Sequence, residues 1–149
     1  MSWLRRNAEV VEALAASVTA LVAVAALIGV KFQLDEADRL QREQSAREAY
    51  RAHLALAATQ PEFAEPQDGC ALLASTKGGS YVAFVDHLLY SAEQMLPLYP
   101  TWEASFLSEL EVHGDLLCSA FAPVGEIPET DQLITRFQGE TCEAQPRCQ

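Results

Sequence analysis

Positive charge is scarce after residue 51, where only Lys77, Arg136 and Arg147 stand against fourteen Asp and Glu residues. Neutralising phosphates takes clustered Lys and Arg, so this composition argues against nucleic-acid binding and against a basic module lying on an anionic membrane surface. The whole net charge of -11 sits in this segment, because Arg5 and Arg6 balance Glu9 and Glu12, and residues 31–51 hold five bases and five acids. Runs of alternating β-branched residues are also few, so strands are not expected. Signatures of catalysis are missing too. Gly78-Gly79-Ser80 lacks the G-x-S-x-G order of a nucleophile elbow, and Lys77 precedes its glycines, the reverse of a P-loop. What is present is apolar residue, 50% of 149, enough to exclude disorder and to fill one domain plus an accessory segment.

The longest uncharged run is Ala13 to Val30, ALAASVTALVAVAALIGV. As a helix rising ~1.5 Å per residue it spans about 27 Å, close to the hydrocarbon thickness of a bilayer. Trp3 and Phe32 bracket it where interfacial aromatics are enriched, and Lys31 is placed to snorkel. A retained single-pass anchor over residues 13–32 is the expectation. A cleaved signal peptide fits less well, because Glu9 and Glu12 precede the run and Leu27-Ile28-Gly29-Val30-Lys31 offers no A-x-A site. A buried core helix is the third reading. Ala16 with Ala20, and Ala25 with Gly29, have the small-x-x-x-small spacing that lets two transmembrane helices approach closely.

Orientation is contested by charge. Arg5 and Arg6 precede the run, whereas Lys31, Arg39, Arg42 and Arg47 follow it with acids interleaved. The cysteines arbitrate. All four (Cys70, Cys118, Cys142 and Cys148) lie after the anchor, and an even count on one side of a membrane suits two disulfides in an oxidising compartment. Sequence leaves the three connectivities open. Four unpaired thiols packed as small hydrophobes is the bland alternative. Zinc is the remote one, since no C-x-x-C pair exists and 47, 23 and 5 residues separate successive cysteines. Disulfides favour an N-in topology with the acidic domain in the periplasm or outside, and a cytoplasmic C-terminus is the alternative.

No Pro or Gly interrupts residues 32–59. Residues 33–51 are polar nearly all round, a composition stable as a helix only with many i,i+4 pairs or a partner. Asp35–Arg39, Asp38–Arg42 and Glu43–Arg47 supply such pairs, each with the acid first. From Tyr50 an apolar face begins with Leu54 and Ala57 or Ala58, so this end should dock on the domain. Pro61 to Gly69 reads as a loop, Cys70 to Ala74 as a short helical turn, and Ser80 as a helix cap. Tyr81, Phe84, Val85, Leu88, Leu89, Ala92, Met95 and Leu96 have helical spacing. Thr101 is a candidate cap for one helix from Trp102 to about Cys118, with Phe106, Leu110 and Leu117 in line. Residues 129–138 make a last short helix with Leu133, Ile134 and Phe137 inward. The expectation is an all-α chain: a tail over 1–12, an anchor over 13–32 continuing into a stalk helix over 33–51, then a small acidic helical bundle over 52–149.

Few residues carry candidate chemistry. His113 lies between Leu110 and Leu117 with Glu109 one turn earlier, so the two could meet as a ligand pair or a pH-sensitive hydrogen bond. A half-buried His satisfied by a carboxylate or carbonyl is the plainer reading, since no Glu-x-x-His motif marks a bundle metal site. Asp86-His87 with Tyr90 and Glu93 reads as a solvated helix face before it reads as acid–base machinery. His53, beside Tyr50 and Leu54, reads as an interface residue. No catalytic residue, cofactor or metal is expected.

An anchor, a charged stalk, Pro61-Glu62-Phe63-Ala64, an aromatic-led helix ending near Glu93 and Trp102 opening another helix together resemble a loose set of uncharacterised bacterial single-pass membrane proteins. The resemblance covers most of residues 10–120 and implies no activity, and those proteins typically lack this cysteine set. Three functions compete. The first is a non-catalytic accessory or scaffold subunit of an inner-membrane complex. Its anchor would pack on an integral membrane protein, and its acidic surface would steer a basic partner, such as a basic soluble electron carrier. The second is a membrane-tethered sensor with a small-ligand pocket near Tyr81, His87 and His113. The third is a hydrolase using Asp86 and His87.

Overall fold

Each helix boundary follows from a local signal. The chain is described by a computed structural model over residues 7–142 and residue 148, the side chain of residue 9 apart. Trp3, Arg5, Arg6 and residues 143–147 lie outside the described residues. Every regular element described is a helix, as expected. Helix α1 runs Ala8–Thr59 without a proline and with Gly29 as its one glycine, and it stops before Pro61. Helix α2, Pro61–Ala64, starts on that proline, which is suited to a first helical position because its missing N–H is not needed there. Asp68 caps α3, Gly69–Ala74, by accepting from the Ala71 N–H at 2.8 Å. Helix α4 spans Gly78–Met95 and ends ahead of Pro97. A 3-10 turn, Pro100–Trp102, leads into α5, Glu103–Glu111; α6, Gly114–Leu117, follows, and α7, Pro128–Thr141, opens on another proline.

The chain divides into two compact units, residues 1–41 and 42–149. In the first unit, residues 10–41 are solvent-facing, and they belong to the one helix among the described residues that is long and apolar enough to cross a membrane, with a mean hydropathy of 2.4 over its best window and none of that window buried. A membrane anchor and a signal sequence both meet that description. Ser17 and Thr19 donate to the carbonyls of Ala13 and Ala15, each at 2.8 Å, which satisfies both hydroxyls inside the apolar run. Arg39 forks onto Glu36 one turn earlier, at 2.7 and 3.1 Å, a pair outside the expected i,i+4 set.

In the second unit the apolar face of α4 is the axis. All eight positions marked by its spacing, Tyr81 to Leu96, are buried, and so are Phe106, Leu110, Leu117, Leu133, Ile134 and Phe137 from α5, α6 and α7. Burial on α1 begins at Ala46, a turn before Tyr50. Small side chains permit this approach. Ala92 is fully buried, and the Ser91 hydroxyl reaches across to the Ala49 carbonyl at 3.2 Å. Arg47 donates to the Tyr99 hydroxyl at 3.2 Å instead of serving only its own helix. Gln138 binds the Leu117 carbonyl at 2.9 Å and ties α7 to the end of α6.

Several local expectations are corrected. Helix α4 starts at Gly78, so Ser80 lies inside its first turn and is not its cap. The start is this early because Gly78 fits against the end of α3: a Cβ there would stand 2.2 Å from the Leu73 carbonyl oxygen. The expected single helix from Trp102 to Cys118 is two helices, broken where the His113 N–H turns to the Leu110 carbonyl three residues back and Gly114 restarts the chain. Thr101 falls within the preceding 3-10 turn. Of the loop expected over residues 61–69, the first four residues are helical and bury Phe63 in the core.

Candidate functional site

Two of the three histidines pack on one ring, Phe84 of α4. His53 of α1 lies 4.9 Å from it, centroid to centroid, and His113 lies 5.9 Å from it. His87 stacks on His53 at 5.7 Å. His87 is one helical turn after Phe84 with respect to the shared face, and His53 shares the inward face of α1 with Tyr50 and Ala57 by i,i+3 and i,i+4 spacing. That spacing was the available signal for His53. By that spacing it reads as an interface residue, and its nearness to the other two histidines depends on α4 and on the turn between α5 and α6.

The two buried rings are held differently. His113 is 2% exposed, and its Nδ1 is hydrogen-bonded to the Tyr81 hydroxyl at 3.1 Å. His53 is 4% exposed, and its Nδ1 has no partner. Burial pushes His113 down to about 4, with His53 adding repulsion. Burial likewise pushes His53 down to about 4, with His87 adding repulsion. Both imidazoles are therefore neutral at pH 7. The same desolvation raises Tyr81 to about 12, with Asp115 contributing.

The expected meeting of Glu109 with His113 does not form. The break after Glu111 removes the regular turn that would have aligned them, and Glu109 instead accepts from the Tyr50 hydroxyl. Burial and that carboxylate push Tyr50 up to about 12. Tyr50 also meets Trp102 and Phe106 edge-on, at 5.3 and 5.9 Å. Of the Asp86-His87-Tyr90-Glu93 group, Asp86, Tyr90 and Glu93 line one cleft with Glu126, whose N–H donates to Glu93 at 2.9 Å, whereas His87 does not line it and stacks on His53.

A cleft of about 390 Å³ opens beside the two buried histidines, within the range of small-molecule sites. Leu54, Ala57, Phe84, Leu88 and Val112 make its apolar walls. His53, Glu65, Ser108, Glu109 and His113 supply its polar groups, and among the described residues no Lys or Arg lines it. His87, expected near such a pocket, stands behind His53 and does not line it.

The cysteines pair as Cys70 with Cys148 and Cys118 with Cys142, with Cα atoms 5.0 and 5.4 Å apart, well within disulfide reach. The first pair joins α3 to the residues after α7, and the second joins the end of α6 to the end of α7. Among the described residues, the one trio with metal-ligand proximity is Asp68, Cys70 and Asp115. Its sulfur is taken by Cys148, Asp68 caps α3, and Asp115 accepts from the Gly69 N–H at 3.1 Å, so the trio is structural. No family model, curated protein or solved structure matches this chain. The site therefore has to be read from its own chemistry. Ala16, Ala20, Ala25 and Gly29 are all solvent-facing in the first unit, with nothing packed on them.

Proposed function

We propose that this chain is a non-catalytic accessory or scaffold subunit of a bacterial inner-membrane protein complex. One helix anchors it, and its acidic helical unit is presented to a partner. The observation that carries this reading is the fully exposed apolar stretch of α1, with mean hydropathy 2.4, on the same helix that buries Ala46 and His53 in the second unit. A water-soluble protein would expose such a surface only at the cost of aggregation. The stretch is supported as a membrane span, and the small-residue positions Ala16, Ala20, Ala25 and Gly29 then offer an integral membrane partner a close approach.

The acidic unit fits a basic partner. Three bases against fourteen acids after residue 51 give it a field that attracts positive charge over several ångströms and weakens with salt. The two cysteine pairs support the periplasmic side, because a reducing cytoplasm would leave them as thiols. Alkaline phosphatase fused after Gln149 tests orientation: activity is expected, and an inactive fusion reverses the topology. Purification in mild detergent tests the scaffold role. Co-purification of a membrane partner is expected, and recovery of the chain alone from its native membranes would sink the reading. A second reading, a tethered sensor of a small ligand, is favoured by one observation, the cleft beside His53.

A further inference from the structure

His53 is the one buried side chain that both borders a solvent-open cleft and keeps a ring nitrogen without a partner. Among the described residues, two other buried side-chain atoms lack partners, His87 Nδ1 and Thr130 Oγ1, and neither residue lines that cleft. An unpaired buried polar atom is costly to the fold, so His53 carries a defect that a bound donor would relieve. The neutral imidazole with its proton on Nε2 offers Nδ1 as an acceptor. A two-fold turn about χ2 carries that nitrogen to the other edge of the ring without moving the backbone.

We propose that this cleft is a binding site for a small organic monocation, a primary amine carrying an apolar body. Four features of the site select that chemistry. The walls from Ala57, Phe84, Leu88 and Val112 take an apolar body about the size of one aromatic ring. The ammonium group donates to His53, which accepts. Glu65 and Glu109 at the rim supply the negative charge that an ammonium group needs and that repels a carboxylate. Among the described residues, no Lys or Arg lines the cleft to hold an anion in its place. A neutral ligand of the same shape gains the apolar contact but not the charge, and its hydroxyl must share one proton. All lining residues belong to the unit of residues 42–149, so the proposal holds whether or not the anchored-scaffold reading does.

The test uses the full chain in lipid nanodiscs, with empty discs to subtract partitioning. The probes are 2-phenylethylamine, 2-phenylethanol and 3-phenylpropionate, which share a shape and differ in charge. Binding is read by saturation-transfer NMR and by titration of Trp102 emission in a Trp3→Phe background, since Trp102 touches Tyr50 and Tyr50 holds Glu109. The amine is expected to bind saturably, with the alcohol and the acid each weaker by about tenfold or more. His53→Phe keeps a ring against Phe84 and removes the acceptor, and should weaken the amine about tenfold. Val112→Trp fills the cleft from a position that is 48% exposed, so it leaves the core intact and should abolish binding. Glu65→Gln should weaken the amine and leave the alcohol unchanged. Equal affinity for the three probes, no saturable amine binding up to about 10 mM, or amine binding unchanged by Val112→Trp would overturn the proposal.

Discussion

Acidification should destabilise the second unit through His53 and His113, in a window set by their burial. In the unfolded chain both rings take up protons near 6.5, whereas in the folded unit burial holds them neutral down to about 4. Below 6.5 the unfolded state therefore binds more protons, and stability falls with pH until the folded rings also protonate near 4. Each such ring contributes a slope of about 1.4 kcal/mol per pH unit. For His113, 2% exposed, the loss across the window is about 3 kcal/mol. For His53 it is smaller, because the ring borders an open cleft and solvent screens it. Such losses are a large part of the about 5–15 kcal/mol that holds a domain together. Acid acts on other groups of an acidic unit as well, so the informative quantity is a difference in slope. His113→Gln keeps a hydrogen-bonding group beside Tyr81 and cannot titrate; His53→Phe removes the other proton site. The assay is urea unfolding at pH 7.5, 6.5, 5.5 and 4.5 in mild detergent, followed by Trp102 emission with Trp3 replaced by Phe. The wild-type chain should lose stability more steeply than His113→Gln by about 1 kcal/mol per pH unit between 6.5 and 4.5. Parallel curves for the wild type and both variants would falsify the claim that these rings are neutral because they are buried.

Three further predictions concern the packing. Gly78→Ala and Gly79→Ala should have opposite signs: a Cβ at Gly78 meets the Leu73 carbonyl oxygen at 2.2 Å, whereas one at Gly79 meets nothing within 4 Å. Thermal midpoints should fall for the first, by the equivalent of about 2 kcal/mol, and rise for the second by about 0.5–1 kcal/mol. Thr130→Val should stabilise by about 1 kcal/mol in urea unfolding, because it replaces a fully buried hydroxyl without a partner by a methyl group of the same shape. Replacing Cys118 and Cys142 together by Ala should cost at most about 3.5 kcal/mol, the loop-closure entropy of their 24-residue separation, and should leave Cys70–Cys148 resistant to alkylation in a non-reducing mass measurement.

Much of the helical framework was legible because it rests on local signals. The spacing of Tyr81 to Leu96 marks one face of a helix, and all eight of those residues are buried; Leu133, Ile134 and Phe137 do the same on α7. The uninterrupted α1 follows from a run without Pro or Gly after residue 32. What misled was any feature decided by a distant neighbour. Ser80 looked like a cap, but the contact that sets the start of α4 is between Gly78 and Leu73 on another helix. Glu109 and His113 looked like a pair, yet each found a tyrosine from a different helix, Tyr50 and Tyr81.

Composition and periodicity by themselves determined that the chain is helical, that its apolar run is long enough for a membrane, and that its excess negative charge lies wholly after residue 51. These are properties of single segments, so no partner in space is needed to read them. Only the tertiary structure decided the cysteine pairing, which joins residues 78 and 24 positions apart, the first cysteine to the last and the second to the third. It also decided that His53 and His113, from α1 and from the turn after α5, pack on Phe84, that His87 stacks on His53, and that one ring nitrogen of His53 is left unpaired beside a cleft. Linear spacing carries a helix face, but which faces meet is set by how all of them bury their apolar stripes at once, and both the acidified-histidine window and the proposed amine site arise at that meeting.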